Sequence, residues 1–190
     1  MKLTLYDTPS GIYIRQLGPE DAEPLLELRV RNRTSHQRYE PLREDDFFTL
    51  DSQRELIMQR VQDAANDRGY AFGIYLLEGT LIGQVNLSNI VRGAGQFADI
   101  GYFMDQAHQG AGYMTAAVRL ALGYAFRALR LNRVQAAVLL DNTASRRVLE
   151  KNGFQAEGIA RRYIQINGMW QDHQIYAILS DELEEKTPYA

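Results

Sequence analysis

The stretch DQAHQGAGYMTAAVRLALGYAFRAL, residues 105–129, decides the fold because it joins a glycine-bearing turn directly to a long helical pattern. Apolar residues recur in it at steps of three and four, which places them on one face of an α-helix. We expect that face to pack on a sheet; its residues are Met114, Val118, Ala121, Leu122, Ala125 and Leu129. The preceding run ADIGYFM, residues 98–104, reads as a strand. The chain therefore predicts a strand, a glycine turn and a helix in succession.

The glycine turn favours an anionic ligand. Gly110 and Gly112, with Ala111 between them, leave the backbone almost bare, so a phosphate could approach the N–H groups of the first helical turn. The helix dipole adds to this attraction. The turn lacks the Gly-Lys-Ser/Thr ending of a P-loop and the third glycine of a dinucleotide-binding turn. Its spacing is compatible with a site for another phosphorylated molecule and also with a purely structural turn.

Length and composition are those of an ordinary globular protein. The 190 residues, 45% hydrophobic and 24% charged, predict one domain over residues 1–182 and a charged tail over residues 183–190. No apolar run reaches the roughly 20 residues of a membrane span, and the N-terminus lacks a secretory signal pattern. We therefore expect a cytoplasmic protein with no membrane partner.

The chemistry available to the chain is limited by its residue types. There is no cysteine, which excludes thiol nucleophiles and disulfides, and the three scattered histidines have no metal-binding spacing. We expect no metal. The net charge of −3 argues against direct nucleic-acid binding. The acidic segment HQRYEPLREDDFFTLD, residues 36–51, is either a solvated loop or a rim that attracts a positively charged, amine-bearing partner.

Strand and helix signals extend over the rest of the chain. Periodicity and turn residues predict seven strands, over residues 11–17, 70–77, 80–91, 97–104, 133–140, 154–166 and 174–179. Helices are expected over residues 19–30, 51–68, 113–129 and 142–152. The order predicts an antiparallel meander, a strand-helix-strand-helix crossover and a final hairpin around Asn167-Gly168. The fold class is α/β (α+β), a mixed, mostly antiparallel seven-stranded sheet with helices on both faces.

Two local details follow from the same patterns. The segment RVQAAVLL, residues 133–140, is too apolar to alternate, which predicts a strand buried on both faces. The helix that begins near Asp51 is expected to be capped by Asp51 itself or by Ser52.

Several motifs resemble those of one enzyme family. The string HQGAGYMTAA, residues 108–117, resembles the acetyl-CoA pyrophosphate loop of the GNAT N-acetyltransferases, whose pattern is Gln/Arg-x-x-Gly-x-Gly/Ala. Gln109 and Gly112 match this pattern, and Met114 stands where glycine or alanine is usual. The order of elements is also similar over nearly the whole chain. A closer likeness to the RimJ/RimL type, the ribosomal-protein-alanine N-acetyltransferases, rests on YEP (39–41), SNIVRG (88–93), NTAS (142–145), EKNGF (150–154) and NGMWQDH (167–173).

This resemblance implies acetyl-CoA as co-substrate and a GNAT fold whose central strands splay apart around its pantetheine arm. The strand before the glycine turn would present backbone groups to the arm and to the oxyanion, and the turn would hold the pyrophosphate. The implied cofactor contacts are Tyr102, Phe103, Met104, His108, Gln109, Gly110, Ala111, Gly112, Tyr113, Met114, Thr115, Asn142 and Ser145.

The resemblance also implies catalytic roles, each with a structural alternative. Ser145 would protonate the leaving thiolate, although Asn142 could simply cap a helix and Ser145 could be a packing residue. The base that accepts the amine proton would be Asp99, with Glu40 as its rival. Because an α-amine has a pKa of ~8, a weak base or water could suffice. Ser88, Asn89 and Arg92 would either bind the substrate main chain or finish a hairpin.

The implied activity is transfer of an acetyl group from acetyl-CoA to an amine by direct attack. The first hypothesis for the acceptor is the N-terminal α-amine of a protein, for example a ribosomal protein. Two alternatives remain open. One is acetylation of a small amine such as an amino acid, a polyamine or an antibiotic; the other is a non-catalytic module that binds acetyl-CoA. The oligomeric state is expected to be a monomer or a homodimer.

Overall fold

A mixed sheet of eight strands forms the centre of the computed structural model, which describes residues 2–183. The strands, in chain order, are β1 (Thr4–Asp7), β2 (Ile12–Gln16), β3 (Tyr70–Leu76), β4 (Leu81–Val91), β5 (Phe97–Met104), β6 (Arg133–Leu139), β7 (Gln155–Ile166) and β8 (Met169–Leu179). Their order across the sheet is β1-β2-β3-β4-β5-β6-β8-β7. β5 and β6 are parallel, and every other neighbouring pair is antiparallel.

The predicted class of sheet is confirmed, but the prediction has one strand fewer than the structure. The mostly antiparallel arrangement with one parallel crossover agrees with the prediction, whereas the count of seven strands is wrong. The missing strand is β1, which pairs with β2 at the sheet edge, for example Tyr6 with Tyr13. Its four residues, TLYD, are too short and too mixed to show a period of their own. It is a strand because β2 offers it an unpaired edge.

Helices pack on both faces of the sheet, as predicted. They are α1 (Ala22–Arg31), α2 (Arg33–Gln37), α3 (Leu50–Ala65), α4 (Tyr113–Gly123) and α5 (Thr143–Lys151). Alternate residues of β3 divide between two apolar clusters: Phe72 and Ile74 pack with α4 and α5, and Ala71 and Tyr75 pack with α1 and α3. We call the side of the sheet that carries α4 and α5 the α4 face, and the side that carries α1 and α3 the α1 face.

The helix after the glycine turn is more deeply buried than its pattern predicts. Eight of the 11 residues of α4 are buried, so its apolar surface is much wider than one stripe. The reason is that α4 packs against the sheet strands β1, β2 and β4 and also against α5. Beyond Gly123 the chain continues as a π-helical turn, Tyr124–Ala128.

Some local predictions hold and others do not. The final hairpin turns at Asn167 and Gly168, whose φ angles of +46° and +80° are those of the expected type I′ turn. The predicted caps of α3 are wrong, because Thr49 is the N-cap and its Oγ1 accepts from the backbone N–H of Ser52 at 3.3 Å. The predicted two-sided burial of β6 is also wrong: its residues alternate between buried and half-buried. The face of β6 turned away from α4 is only partly covered.

The charged tail expected over residues 183–190 lies outside the described residues apart from Leu183, which packs against the core. The domain boundary at residue 182 stays a prediction. Among residues 2–183, no helix combines the length and the apolarity needed to span a membrane.

Candidate active site

β5 and β6 remain paired over only three positions and then diverge. Their register ends at Asp99 opposite Gln135, although β5 continues to Met104 and β6 to Leu139. On its other edge β5 stays paired with β4 as far as Met104. The backbone groups of residues 100–104 that point toward β6 therefore have no partner on that strand. The predicted splay of the central strands is confirmed.

The glycine turn at the start of α4 is open and bare. Gly110 and Gly112 have φ angles of +83° and +87°, and a Cβ at either position would meet nothing within 4 Å. Gly112 is the N-cap residue of α4, so no N-cap side chain bonds to the N–H groups of the first turn. Within residues 2–183, no acceptor bonds to the backbone N–H of Gly110, Ala111 or Gly112. The free space and free donors fit the diphosphate of acetyl-CoA.

The other residues predicted around this turn lie in different environments. Gln109 is exposed, whereas the side chain of Met114 is buried in the core. Tyr113 packs against the same core, and the carbonyl of Thr115 accepts from Asn152 Nδ2 at 3.2 Å. The side chains of Tyr113 and Met114 therefore fix the helix, and a contact of these residues with a diphosphate would come from their backbone.

A buried carboxylate anchors the chain just before the glycine turn. Asp105, whose side chain is 3% exposed, accepts from Arg31 Nη2 at 2.8 Å and from Asn32 Nδ2 at 3.0 Å. Asn32 Oδ1 in turn accepts from the backbone N–H of Gln106 at 2.9 Å, and His108 Nδ1 lies 3.2 Å from the Asp105 carboxylate. Burial opposes ionisation, but the hydrogen bonds from Arg31 and Asn32 outweigh it and lower the pKa of Asp105 to about 2. The turn is thereby tied to α1.

The Asp105→Asn variant is expected to lower the free energy of unfolding by about 2 kcal/mol at pH 7. The carboxylate contributes fully above the ordinary aspartate pKa of ~3.9, and its contribution is lost as the pH falls through the folded pKa of about 2. Urea unfolding of both proteins should therefore show a difference that falls to about half at pH 3. A difference that is the same at pH 7 and pH 3 would contradict the charged anchor.

Ser145 on α5 faces Tyr102 on β5 beside the opening. The Tyr102 hydroxyl lies 2.9 Å from Ser145 Oγ and donates to the Ser145 carbonyl at 3.2 Å. Burial raises the pKa of Tyr102, and the bond to Ser145 only partly offsets the rise, so the phenol stays protonated at neutral pH. Asn142 caps α5 by accepting from the Ser145 backbone N–H at 3.1 Å. The capping alternative for Asn142 is thus observed, and its contact with a cofactor stays a prediction.

His36 occupies one of the backbone groups predicted to face the pantetheine arm. Its Nε2 lies 2.9 Å from the carbonyl oxygen of Met104, and its ring meets Phe103 edge to face at 5.4 Å. Because a carbonyl only accepts, Nε2 carries the proton and Nδ1 is left facing Glu40 at 4.0 Å. Adjacent residues of a strand point their backbone groups to opposite edges. The N–H of Asp105 donates to the Ile82 carbonyl beside β4, so the backbone of Phe103 also faces β4, and the backbone of Tyr102 faces the β6 side. The predicted backbone contact of Phe103 with the arm is therefore not supported.

The two predicted bases differ in their surroundings. Asp99 lies where β5 and β6 begin to diverge, and its two oxygens accept from Gln135 Nε2 at 2.8 Å and Asn89 Nδ2 at 2.7 Å. No donor in the described part of the chain lies within hydrogen-bond distance of the Glu40 carboxylate. Glu40 is thus the freer of the two acceptors.

The residues predicted to hold the acceptor main chain do not stay together. Ser88 lies opposite Asp99 in the β4–β5 register, and Asn89 bonds to the Asp99 side chain. Arg92 instead forms a two-pronged ion pair with Asp67, at 2.6 and 2.8 Å, and donates to the carbonyl of Leu129 at 2.6 Å. Its guanidinium holds the fold together, and we leave it out of the proposed acceptor site.

Two hollows lie on the α1 face near the splay. The larger, about 770 Å³, we call the acceptor groove; it is lined by α2, the end of β6 and the β7–β8 hairpin, with Thr34, Leu139, Asp141, Met169 and Trp170 among its walls. The smaller, about 120 Å³, we call the arginine cavity; it is lined by Arg29, Arg33, His36, Gln37, Glu40, Pro41, Leu42, Arg43, Phe47 and Phe48. The backbone N–H of Asn167 donates to the Glu40 carbonyl at 3.2 Å, which joins the hairpin tip to the segment between the hollows.

Three residues of this site were not predicted from the sequence: Arg29, His36 and Asp105. A weak signal existed for α1, since Arg29 and Asn32 follow Leu25 at steps of four and seven and so share the buried face of the helix. Polar residues on a buried helical face are unusual and often have a specific partner. No comparable pattern marks His36. Within residues 2–183, no group of three or more His, Cys, Asp or Glu side chains could hold a metal.

Comparison with known proteins agrees with this geometry. The family model described as an acetyltransferase (GNAT) domain matches residues 12–155. A probable N-acetyltransferase of Bacillus subtilis, YjcK, is 47% identical over 175 residues, which cover 92% of this chain and 97% of the relative.

Two solved structures have the same fold. Mycobacterium smegmatis RimJ in complex with CoA-disulfide superposes with a TM-score of 0.89 at 31% identity, covering 93% of this chain and 86% of that one. The ribosomal-protein-S5-alanine acetyltransferase of Vibrio fischeri has a TM-score of 0.88 at 30% identity, covering 97% and 99%. The matching family model, the splayed strands and the bare glycine turn agree, and the chain belongs to the GNAT family of N-acetyltransferases, within which it is of the RimJ/RimL type.

Proposed function

We propose that this enzyme acetylates the N-terminal α-amine of a protein, a ribosomal protein being the first candidate. The observation that carries the proposal is the acceptor groove, an open channel of about 770 Å³ that reaches the end of β6 beside the splay. An extended peptide needs such a channel, and the exposed side chains of Met169 and Trp170 on its wall offer apolar contacts. The relative from Vibrio fischeri is named for a ribosomal-protein substrate.

Acetyl-CoA would bind with its diphosphate against residues 109–115 and its arm between β5 and β6, and it supplies the acetyl thioester. The unpaired backbone N–H of Tyr102 would donate to the oxygen on which charge develops. Ser145 would donate its hydroxyl proton to the departing sulfur as the carbon–sulfur bond breaks, and solvent water would return a proton to the serine oxygen. Tyr102, bonded to Ser145 Oγ at 2.9 Å, would hold that hydroxyl in place.

The amine must lose a proton as the nitrogen–carbon bond forms. We propose that water carries this proton to Glu40. Within residues 2–183, no hydrogen-bond donor is bonded to the Glu40 carboxylate, which lies 4.0 Å from His36 Nδ1. His36 is in turn bonded to the Met104 carbonyl at the end of β5, so Glu40 lies close to the splay. Asp99 remains the rival, with both oxygens already accepting from amides. A strong base is not needed for an α-amine with a pKa of ~8.

The test is acetyl transfer to defined acceptors, followed by intact mass and by release of free thiol. Peptides that copy ribosomal-protein N-termini should be acetylated once, at the α-amine, with lysine side chains unmodified. The same assay with free amino acids, polyamines and amine-bearing antibiotics covers the small-molecule alternative. Turnover of small amines alone would overturn the peptide proposal, and acetyl-CoA binding without thiol release for any acceptor would indicate a non-catalytic module.

A cytoplasmic location stays a prediction.

A further inference from the structure

The arginine cavity lies next to the place where the acceptor amine would react. His36 lines the cavity and also bonds to the Met104 carbonyl at the end of β5. Arg29 lines it from α1, with its guanidinium carbon 4.6 Å from the centre of the Phe103 ring on β5. A group bound in this cavity would therefore be a near neighbour of the splay. Its volume of about 120 Å³ suits a short side chain and not a whole peptide.

The walls of the cavity carry more positive than negative charge. Three guanidinium groups line it, and Glu40 is the one carboxylate among its lining residues. Arg33 is paired with the exposed Asp45 at 2.6 Å. Among the ion pairs of residues 2–183, none within 4.0 Å involves Arg29 or Arg43. Of the charged residues in the acidic segment 36–51, only Glu40 and Arg43 line this hollow, and Arg29 and Arg33 add positive charge from outside the segment.

Arg29 is the most buried of these arginines. Within residues 2–183, its Nε is buried without a hydrogen-bond partner, and the guanidinium makes one hydrogen bond, from Nη2 to Gln84 Oε1 at 3.3 Å. Phe47 and Phe103 lie 5.0 and 4.6 Å from its guanidinium carbon, so aromatic rings replace much of its water. Burial, opposed by Glu40 and reinforced by Arg43 and Arg60, lowers the pKa of Arg29 to about 10, and it remains charged at pH 7.

A largely buried guanidinium with few hydrogen bonds is costly in the free protein, and an anion that binds beside it in the cavity lowers that cost through charge attraction. Guanidinium groups match carboxylates in shape and can bind them through two parallel hydrogen bonds. Building on the proposed function, we propose that the arginine cavity binds a carboxylate of the acceptor through Arg29, with Arg43 adding charge. The preferred acceptor then has an acidic side chain close to the amine that is acetylated.

The test compares peptides that differ only by Glu or Gln at the second, third or fourth position. In the wild-type enzyme at saturating acetyl-CoA, we expect kcat/KM to be at least tenfold higher for Glu than for Gln at one of these positions. In Arg29→Met, which keeps the length and apolar packing of the side chain, the ratio should fall below about twofold while the Gln peptide is still turned over. Arg68→Gln is the matched control, because Arg68 is 60% exposed and pairs with Asp63 away from the cavity.

Equal kcat/KM for every Glu and Gln pair would overturn the inference, and so would a preference that survives in Arg29→Met. If no peptide is acetylated, the proposed function fails, and glutarate then tests the cavity by itself. Calorimetric titration of the acetyl-CoA complex with glutarate should show binding in wild type and Arg68→Gln that is lost in Arg29→Met. Absence of glutarate binding to the wild type would reject the cavity as a carboxylate site. The same kinetic assay with free glutamate and aspartate as acceptors distinguishes a small acceptor from a peptide, because only an enzyme for small amines would turn them over.

Discussion

The Ser145→Ala variant is expected to lower kcat about 100-fold, the usual contribution of a positioned general acid, while the KM for acetyl-CoA changes by less than about threefold. The hydroxyl of Ser145 is the proton donor proposed for the sulfur, and alanine removes it without adding bulk. Thiol release at saturating peptide and acetyl-CoA measures the effect. The backbone N–H of residue 145 still donates to the capping oxygen, Asn142 Oδ1, in this variant, so the helix should remain folded.

Tyr102→Phe serves as the companion variant. It removes only the hydroxyl that lies 2.9 Å from Ser145 Oγ, so a loss of about tenfold is expected if Tyr102 positions the serine. In the double variant the loss should be no greater than in Ser145→Ala alone, because Tyr102 acts through Ser145. A full kcat in Ser145→Ala would rule out serine as the acid, and multiplicative losses would rule out the positioning role of Tyr102.

Gly112→Val is expected to raise the KM for acetyl-CoA at least 100-fold. Valine at a φ of +87° is strained by about 1–3 kcal/mol, and its side chain would fill the open space at the start of α4. That space is where we place the diphosphate. Calorimetry with CoA and steady-state kinetics both measure the loss.

Gly79→Val is the matched control for this strain. Gly79 has a φ of +99°, has nothing within 4 Å of an added Cβ, and lies in the turn between β3 and β4. Both variants should lose similar amounts of unfolding free energy, and only Gly112→Val should lose CoA binding. Equal CoA affinity in the two variants would show that the glycine turn is structural only.

Much of the fold could be predicted because its signals are local. The bounds of β5 agree with the predicted strand over residues 97–104, and the hairpin at Asn167-Gly168 turns where the Asn-Gly pair predicts. β1 escaped prediction because a strand of four residues acquires its structure from its neighbour. The burial of α4 was underestimated because α5 and the sheet edge cover positions that face solvent in an ordinary amphipathic helix.

The candidate site also has one part that could be predicted from local sequence and one part that could not. The glycine turn is contiguous and could be read directly, whereas the pairs around it join residues far apart in the chain. Asn32 is 73 residues from Asp105, and Tyr102 is 43 residues from Ser145. No period or spacing connects such residues, and only the fold brings them together. For Arg92 the sequence left an acceptor contact and a structural role open, and its observed partners, Asp67 and Leu129, favour the structural role.

The short stretch from Arg29 to His36 supports both halves of the reaction at once. Arg31 and Asn32 donate hydrogen bonds to Asp105, just before the proposed acetyl-CoA turn. Arg29 and His36 line the arginine cavity, next to the proposed acceptor site. If one substrate displaced this stretch on binding, the displacement would reach the proposed site of the other. Thermodynamic reciprocity then requires that, if acetyl-CoA strengthens acceptor binding by some factor, the acceptor strengthens acetyl-CoA binding by the same factor.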